Sequence, residues 1–569
     1  MIGAELRAEA ERWISGDPDE RDRAELRALL DDGGEAAAAD LADRFGARLE
    51  FGTAGLRGAI GAGPNRMNRA VVRAATAALA GWLASRGGPD AAQAGVIIGC
   101  DARRRSDEFA EEAARVLAGA GIRARLLPPR QPTPLLAFAV RHLRAAAGIM
   151  ITASHNPPAD NGYKLYLGDG AQIIPPVDKQ IAGAIARLGD LSQIPVAPVD
   201  SALIGRLGDE VARAYLDAIV AAVPGPVAPG GNPPGLRVVY TPLHGVAAGL
   251  ALRAFERAGF GLPQMVAAQA EPDPRFPTVA FPNPEEPGAL DLALAQARDT
   301  GADLVIANDP DGDRLAVAVP DATAPGGWRA LTGDQMGGLL GAYLLDQAPG
   351  PAPSARLVAT TVVSSTLLAK VAATAGVRYA ETLTGFKWIV RAADGVPGAR
   401  FVFGYEEALG YAVTPLVRDK DGMSAALALL SLAAAAHAAG QSLLDRWDAL
   451  EAAHGVHLTA QVTLPTRAPA QVMSGLRARP PDTVADLPVA AITDLAEGAS
   501  GLPPADVLTY HLAGARVVIR PSGTEPKIKA YLEVVEPVAD GSLATARAAA
   551  SGRLTPLRSA VAALVAGSG

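Results

Sequence analysis

The run Ala145-Ala146-Ala147-Gly148-Ile149-Met150-Ile151-Thr152-Ala153-Ser154-His155-Asn156-Pro157-Pro158 decides how this chain is read. Its first half is continuously apolar and reads as the end of a buried strand. Its second half brings a hydroxyl, an imidazole and two prolines, which no strand continues. Ser154 therefore stands at a strand-to-loop break, where a side chain can be presented to a cleft. The same residues also compose an ordinary Ser-Asn-Pro turn. What separates the two readings is the rest of the chain.

Outward from this run, strand-like apolar segments alternate with helices rich in Ala, Leu and Arg. The strands are Ala94–Cys100, Ala145–Ile151, Leu236–Tyr240, Leu304–Ala307 and Leu357–Val363. Such alternation predicts α/β domains. At 569 residues the chain exceeds one core, and three or four domains are expected. Residues 1–45 read as charged amphipathic helices forming an N-terminal extension. Pro/Gly-rich stretches at Val223–Gly235, Ala348–Ser354 and Ala499–Ala505 mark linkers or long loops. The run Ser424–Gly440, mostly Ala and Leu but interrupted by His437, predicts a buried helix too short for a membrane span. Near the end, Ala515–Ile519 and Lys527–Val535 flank a polar loop, and an Ala/Leu helix follows.

The bulk numbers exclude several classes. A net charge of −8 argues against nucleic acid as the main partner. Met1–Arg23 is rich in Glu and Arg without an apolar core, so no signal peptide is expected there. One cysteine, Cys100, leaves no internal disulfide and fits a reducing, cytoplasmic setting. Cations are almost all arginine: of 52 Lys and Arg, seven are Lys (164, 179, 370, 387, 420, 527 and 529). A retained lysine marks places where a compact charge that can lose its proton is wanted, and Lys164, Lys387, Lys420 and Lys527 all fall within or beside the polar motifs.

Five motifs carry chemistry. Phe51-Gly52-Thr53-Ala54-Gly55-Leu56-Arg57-Gly58 lets backbone N–H groups approach an anion, with Arg57 as a clamp. Around Ser154 there is no Gly-x-Ser-x-Gly, so a hydrolase elbow is not expected, while Lys164 can return to the same cleft through a turn. Asp309-Pro310-Asp311-Gly312-Asp313-Arg314 sets three carboxylates at alternate positions between two strands, Leu304–Ala307 and Leu315–Val319. They can converge on one hard cation, and left unneutralised they would repel one another. A calcium-binding EF-hand is excluded, because Arg314 and Pro320 occupy its Gly and Glu positions. Gly404-Tyr405-Glu406-Glu407-Ala408 places two carboxylates at a strand end, suited to sugar hydroxyls or equally to a helix N-terminus. Lys387 and Lys420 sit in nearby loops. Arg520-Pro521-Ser522-Gly523-Thr524-Glu525-Pro526-Lys527 has the composition of a phosphate cradle, with a hairpin turn as the plain alternative.

All five motifs, in this order, resemble the α-D-phosphohexomutase superfamily, phosphoglucomutase and phosphomannomutase included, over about residues 50 to 530. The forms Phe51–Gly58 and Tyr405–Ala408 resemble its longer, phosphopentomutase-like branch. The resemblance implies four domains around a central cleft: three α/β mixed-sheet domains plus a smaller C-terminal α+β domain. The expected boundaries are 1–45 for the helical extension, 46–207 with the serine loop, 208–328 with the metal loop, 329–450 with the sugar loop and 451–569 with the phosphate loop.

It further implies that Ser154 is carried as phosphoserine, and that Ser154, Asp309, Asp311 and Asp313 hold one Mg²⁺ per chain. Arg57, Lys164 and His155 would act in catalysis, with Lys164 favoured over His155 for the hydroxyl proton. Glu406, Glu407, Lys387, Lys420, Arg314, Arg520, Ser522, Gly523, Thr524 and Lys527 would bind substrate, Lys420 at the distal site. The implied reaction is reversible phosphoryl transfer on a sugar phosphate, glucose 1-phosphate to glucose 6-phosphate first, through a bisphosphate that also serves as activator. Ala408 stands where the family usually has serine, which leaves mannose and pentose phosphates open. A serine phosphatase-like hydrolase and a non-catalytic sugar-phosphate binding protein are the other readings. Expected partners are small sugar phosphates, not nucleic acid or membrane, for a cytoplasmic monomer or dimer.

Overall fold

The computed structural model describes residues 2–52, 55–223, 236–347, 352–499, 501–523 and 526–568. Of the stretches expected as linkers, Val223–Gly235 lies outside these beyond Val223, and Ala348–Ser354 is described only from 352. The chain divides into two compact units. Among the described residues, unit one holds those within 2–223, 236–328 and 416–427, and unit two those within 329–415 and 428–568.

Unit one opens with three helices, Ala4–Gly16, Glu20–Asp32 and Glu35–Phe45, as the charged amphipathic pattern predicts. They bury Ala10, Ile14, Leu26, Leu30, Leu41 and Phe45 against one another and Ala62. Gly33, at φ +59, ends the second helix in a left-handed turn that glycine adopts without strain.

A six-stranded sheet follows, in the order β1-β5-β4-β2-β3-β6. Its strands are β1 Leu56–Ala59, β2 Val96–Cys100, β3 Ala124–Leu126, β4 Ala147–Ile151, β5 Asp160–Leu167 and β6 Ile204–Arg206. β2, β3, β4 and β6 run parallel, whereas β5 is antiparallel to β4 and to β1. Every residue of β4 is buried, which accounts for its unbroken apolar run.

The second sheet has the order β11-β10-β9-β7-β8. It comprises β7 Val238–Thr241, β8 Gln264–Met265, β9 Leu304–Ala307, β10 Ala316–Pro320 and β11 Trp328–Ala330. β9 is parallel to β7, but β10 turns back antiparallel to β9. Both sheets thus contain an antiparallel turn-back inside a parallel framework, and both polar loops lie at those turn-backs.

In unit two a four-stranded mixed sheet, ordered β13-β12-β14-β15, comprises β12 Arg356–Thr361, β13 Arg378–Thr382, β14 Arg400–Glu406 and β15 Gly410–Ala412. The last sheet is antiparallel throughout. Its order is β16-β21-β20-β19-β18-β17, with β16 Val456–Pro465, β17 Thr483–Val484, β18 Leu487–Asp494, β19 Leu508–Leu512, β20 Ala515–Pro521 and β21 Lys527–Glu536. Helices Pro469–Ala478 and Leu543–Ala566 cover one face through Val472, Leu476, Ala550, Leu557 and Val561. This is the α+β arrangement expected for the chain's end. The apolar Ser424–Gly440 run forms, up to Ala438, the helix Gly422–Ala438, most of it buried. Among the described residues no single helix is long and apolar enough to cross a membrane.

Candidate active site

The serine loop is the connection between β4 and β5. Antiparallel pairing puts Ile151 opposite Tyr163 and Met150 opposite Lys164. Lys164 therefore stands on the returning strand, and the hairpin turn brings it back toward the serine, as expected. Ser154 is nearly fully buried and has φ +52, a left-handed conformation unusual for a residue with a side chain. Its N–H donates to Thr152 Oγ1 at 2.8 Å. Its Oγ donates to Asp309 Oδ2 at 2.8 Å and lies 3.1 Å from His155 Nδ1.

Asp309 belongs to the loop between β9 and β10, and the β9–β10 turn-back folds Asp309, Asp311 and Asp313 together. One carboxylate oxygen from each lies within 4.8 Å of the others. Gly312, at φ +69, makes the turn possible, and a Cβ there would meet Ala247 and Pro132 at 3.0 and 3.1 Å. Asp311 Oδ1 and Asp313 Oδ1 are buried with no hydrogen-bond partner among the described residues. Such orphaned acceptors are costly, and three hard oxygen donors facing one point fit a divalent cation.

The rest of the charge is balanced by cations. Lys164 Nζ reaches Asp311 Oδ2 at 2.7 Å and Asp313 Oδ2 at 2.9 Å. Burial would strip its proton, but Asp311 and Asp313 more than offset this and hold it above the ordinary lysine value. Removing one partner of such a buried pair costs about 3–5 kcal/mol. Asp309 is pushed well up by burial and by Asp311 and Asp313, whereas burial at Asp311 is outweighed by Lys164 and its hydrogen bonds, which hold it low. Burial, then Arg314 and Arg57, hold His155 well below the usual imidazole range. Arg57, on β1, donates to Asn156 Oδ1 at 3.1 Å. Arg314 donates its backbone N–H to Asp309 Oδ1 at 3.0 Å.

Lys420, expected at the distal site, lies 3.3 Å from Asp313 Oδ2 in unit one, beside the aspartate loop. Lys164, expected to handle a proton, is ion-paired with Asp311 and Asp313, while His155 Nδ1 faces Ser154 Oγ.

Unit two gathers the other predicted residues. Glu406 ends β14, as a strand end rather than a helix start, and its Oε1 accepts from the Gly385 N–H at 3.2 Å. Lys387 lies on the short helix Phe386–Ile389 just after Gly385. Glu407 Oε2 is 3.4 Å from the Thr361 and Ser364 hydroxyls. Burial, with Glu406 and Asp334 nearby, raises its pKa to about 8. Arg520, on β20, packs over the Tyr531 ring at 5.8 Å and donates to the Pro521 carbonyl at 3.1 Å. The charge of Arg520 is felt at Glu407, so sugar and phosphate loops are neighbours here. The phosphate loop is the β20–β21 hairpin, closed by Ser522 N–H to the Lys527 carbonyl at 2.9 Å. Gly523 is its last described residue before Thr524, which lies outside the described set.

Two positions were missed by the sequence. Thr133 Oγ1 donates to Asp311 Oδ2 at 2.6 Å, and its N–H to the Asp311 carbonyl at 2.9 Å. Asp419 accepts from Tyr166 and Gln172 at 2.7 Å each, anchoring the segment that carries Lys420. The scarce Lys420 beside it was the available signal; for Thr133 there was none.

A serine hydroxyl held against clustered carboxylates and ringed by fixed cations is geometry for moving a phosphoryl group. The sequence matches the family descriptions "Phosphoglucomutase/phosphomannomutase, alpha/beta/alpha domain I" over residues 48–191, domain II over 213–324, domain III over 332–450, and the C-terminal domain over 476–550. A probable phosphomannomutase of Haemophilus influenzae is 41% identical over 477 residues, 82% of this chain and 93% of that protein. Human phosphopentomutase is 35% identical over 579 residues, 94% of this chain and 92% of that one. A Staphylococcus epidermidis phosphoglucomutase is 34% identical, over 85% and 90%. The fold is shared with a phosphoglucomutase/phosphomannomutase family protein from Burkholderia thailandensis, with TM-score 0.67 and 22% identity over 91% of this chain and 98% of that one. The chain belongs to the phosphoglucomutase/phosphomannomutase family, and it is a phosphosugar mutase.

Proposed function

We propose that this enzyme moves a phosphoryl group between C1 and the terminal hydroxyl of an aldose through phosphorylated Ser154 and a sugar bisphosphate. The observation that carries this reading is the 2.8 Å contact between Ser154 Oγ and Asp309, inside a carboxylate cluster with two orphaned oxygens. Asp309, Asp311 and Asp313 would hold Mg²⁺, which supplies Lewis-acid charge opposite the phosphoryl oxygens. Lys164, Lys420 and Arg57 add fixed positive charge that needs no reorganisation during transfer. His155 passes the proton of Ser154 Oγ to the leaving sugar oxygen when the serine is rephosphorylated, and carries the proton of the attacking sugar hydroxyl back to Ser154 Oγ when the serine leaves. Glu406 and Glu407 bind sugar hydroxyls. Arg520 with Ser522, Gly523, Thr524 and Lys527 grips the phosphate that does not react.

Glucose 1-phosphate is the first substrate in this reading. A pentose 1-phosphate is the second, favoured by Ala408 and by the 94% of the chain matched to human phosphopentomutase. The deciding experiment offers glucose, mannose and ribose 1-phosphates with a bisphosphate activator and analyses the products. Isomerised sugar phosphate is expected, with one phosphate mapping to Ser154. Ser154→Ala should lose activity on the order of 10⁴-fold or more, as nucleophile deletions do. Inorganic phosphate as the main product would make the enzyme a hydrolase instead.

A further inference from the structure

The serine loop contains a second device, centred on a residue that touches none of the reacting groups. Arg103 lies on the loop after β2 and is only 4% exposed. Its Nη1 donates to the carbonyls of Pro157 at 2.7 Å and Asp160 at 3.0 Å. Its Nη2 donates to the carbonyl of Ser154 at 2.7 Å and also to that of Asn156. One guanidinium thus collects four carbonyls from the hairpin connection that carries Ser154.

We propose that Arg103 is a positioning residue that sets the phosphoryl-carrying serine, a role that rests on reading Ser154 as that carrier. The loop's own hydrogen bonds are few: Ser154 N–H to Thr152 Oγ1, Asn156 N–H to the Ala153 carbonyl, Asn156 Nδ2 to Asp160 Oδ2, and Asp160 N–H to the Pro157 carbonyl. Of these only the Thr152 contact reaches the backbone of Ser154, whose left-handed φ is a conformation that persists only where its surroundings over-determine it. Four carbonyl dipoles pointing inward would repel one another without a cation among them. A planar guanidinium with five donors can satisfy all four at once, whereas a lysine ammonium has three donors at one point.

Arg103 is itself held. Its backbone N–H donates to Asp101 Oδ1 at 2.9 Å, and its Nε is ion-paired with Asp101 Oδ2 at 3.6 Å. Asp101 Oδ1 also accepts from Ser106 Oγ at 2.7 Å, and Ser106 Oγ accepts from Asn161 Nδ2 at 2.9 Å. Asn161 follows Asp160, so the ring closes on the loop's far end. The Phe276 ring lies 5.0 Å from the guanidinium carbon and covers it. The clamp is therefore buried and sheltered from water, and it acts on Ser154 Oγ only through the backbone.

The test compares Arg103→Lys with wild type in steady state and in single turnover from radiolabelled phosphoenzyme, counting label passed to sugar phosphate against label lost to water. Arg103→Lys should lower kcat on the order of 100-fold, the usual cost of a small misplacement. KM should stay within about threefold, because substrate contacts are untouched. The share of label lost to water should rise on the order of tenfold, since a displaced serine no longer holds its phosphoryl group against the sugar hydroxyl. A purely structural arginine would lower the amount of active protein and leave that share unchanged. Should Arg103→Lys not fold, Asp101→Asn carries the same measurement, with a smaller rise expected.

A kcat within about threefold of wild type in Arg103→Lys, or an unchanged share in a slowed variant, overturns the proposal. Ser154→Ala run alongside separates the two readings. If it stays active, the serine carrier fails; if it is dead while Arg103→Lys is normal, only the clamp fails.

Discussion

In unit one, Ser154, Lys164, Asp309, Asp311 and Asp313 are each at most 2% exposed, and the lysine and the hydroxyl are paired directly with the carboxylates. In unit two, Glu406, Glu407 and Arg520 keep part of their surface, and two carboxyl groups stand side by side. The difference separates two tasks. Transfer needs fixed, mutually paired charge in a dry place, where each interaction is strong because water is excluded. Recognition needs donors and acceptors that stay available to a ligand arriving with its own hydroxyls and phosphate. Damage to unit one should therefore fall on turnover, and damage to unit two on affinity.

The sharpest way to break this contrast is Asp311→Asn. Asp311 accepts from Lys164 and Thr133 while leaving Oδ1 for a cation. The change should lower kcat on the order of 10³-fold with KM little altered, and chelation of metal should mimic it in wild type. Full activity in metal-free enzyme would remove the cation from the account.

A smaller effect is expected at Arg520→Ala, which deletes a charged grip on the non-reacting phosphate. Hydrogen bonds to charged groups are worth about 1.5–3 kcal/mol, so KM should rise roughly tenfold to a hundredfold. Some loss of kcat is compatible with this, because remote binding energy assists the chemical step. A fall in kcat at unchanged KM would mean that unit two does chemistry.

The smallest is a pH effect at Glu407, whose pKa is raised to about 8. It is neutral at pH 7 in the folded protein and able to donate to a sugar oxygen. kcat/KM should bend severalfold near pH 8, and Glu407→Gln should abolish the bend. Stability gives an independent reading of the same group. The unfolded chain releases this proton near the ordinary value of 4.5, so folding is favoured below that pH. The contribution is lost as pH rises from about 4.5 to 8, then levels off. Glu407→Gln should flatten that part of the melting-temperature profile.

Much of the site was legible in the residues. Apolar runs that stop at Ser154, Asp309 and Glu406 mark strand ends, because a buried strand must end before polar backbone and side chains can face a ligand. The scarcity of lysine picked out Lys164 and Lys420, and both lie on the carboxylates. Their roles were less legible. Lys164 was expected to move a proton, and its pairing with two buried carboxylates was not foreseen. Lys420 was expected with the distal phosphate, yet the segment 416–427 belongs to unit one, tied there by Asp419 to Tyr166 and Gln172. Thr133 and Arg103 were invisible, since a threonine after Gln131-Pro132 and one arginine among three in a row look like surface residues.

The chain's own pattern of hydrophobicity, glycine and charge determined the α/β domains, the loops that interrupt them and the kinds of group those loops present, because these depend on residues close in sequence. Which carboxylate takes which cation, which carbonyls meet Arg103 and how far each pKa moves were decided only by the tertiary structure. Those quantities depend on burial and on distances of about 3 Å between residues as far apart in the chain as Ser154 and Asp309, and no local spacing encodes them.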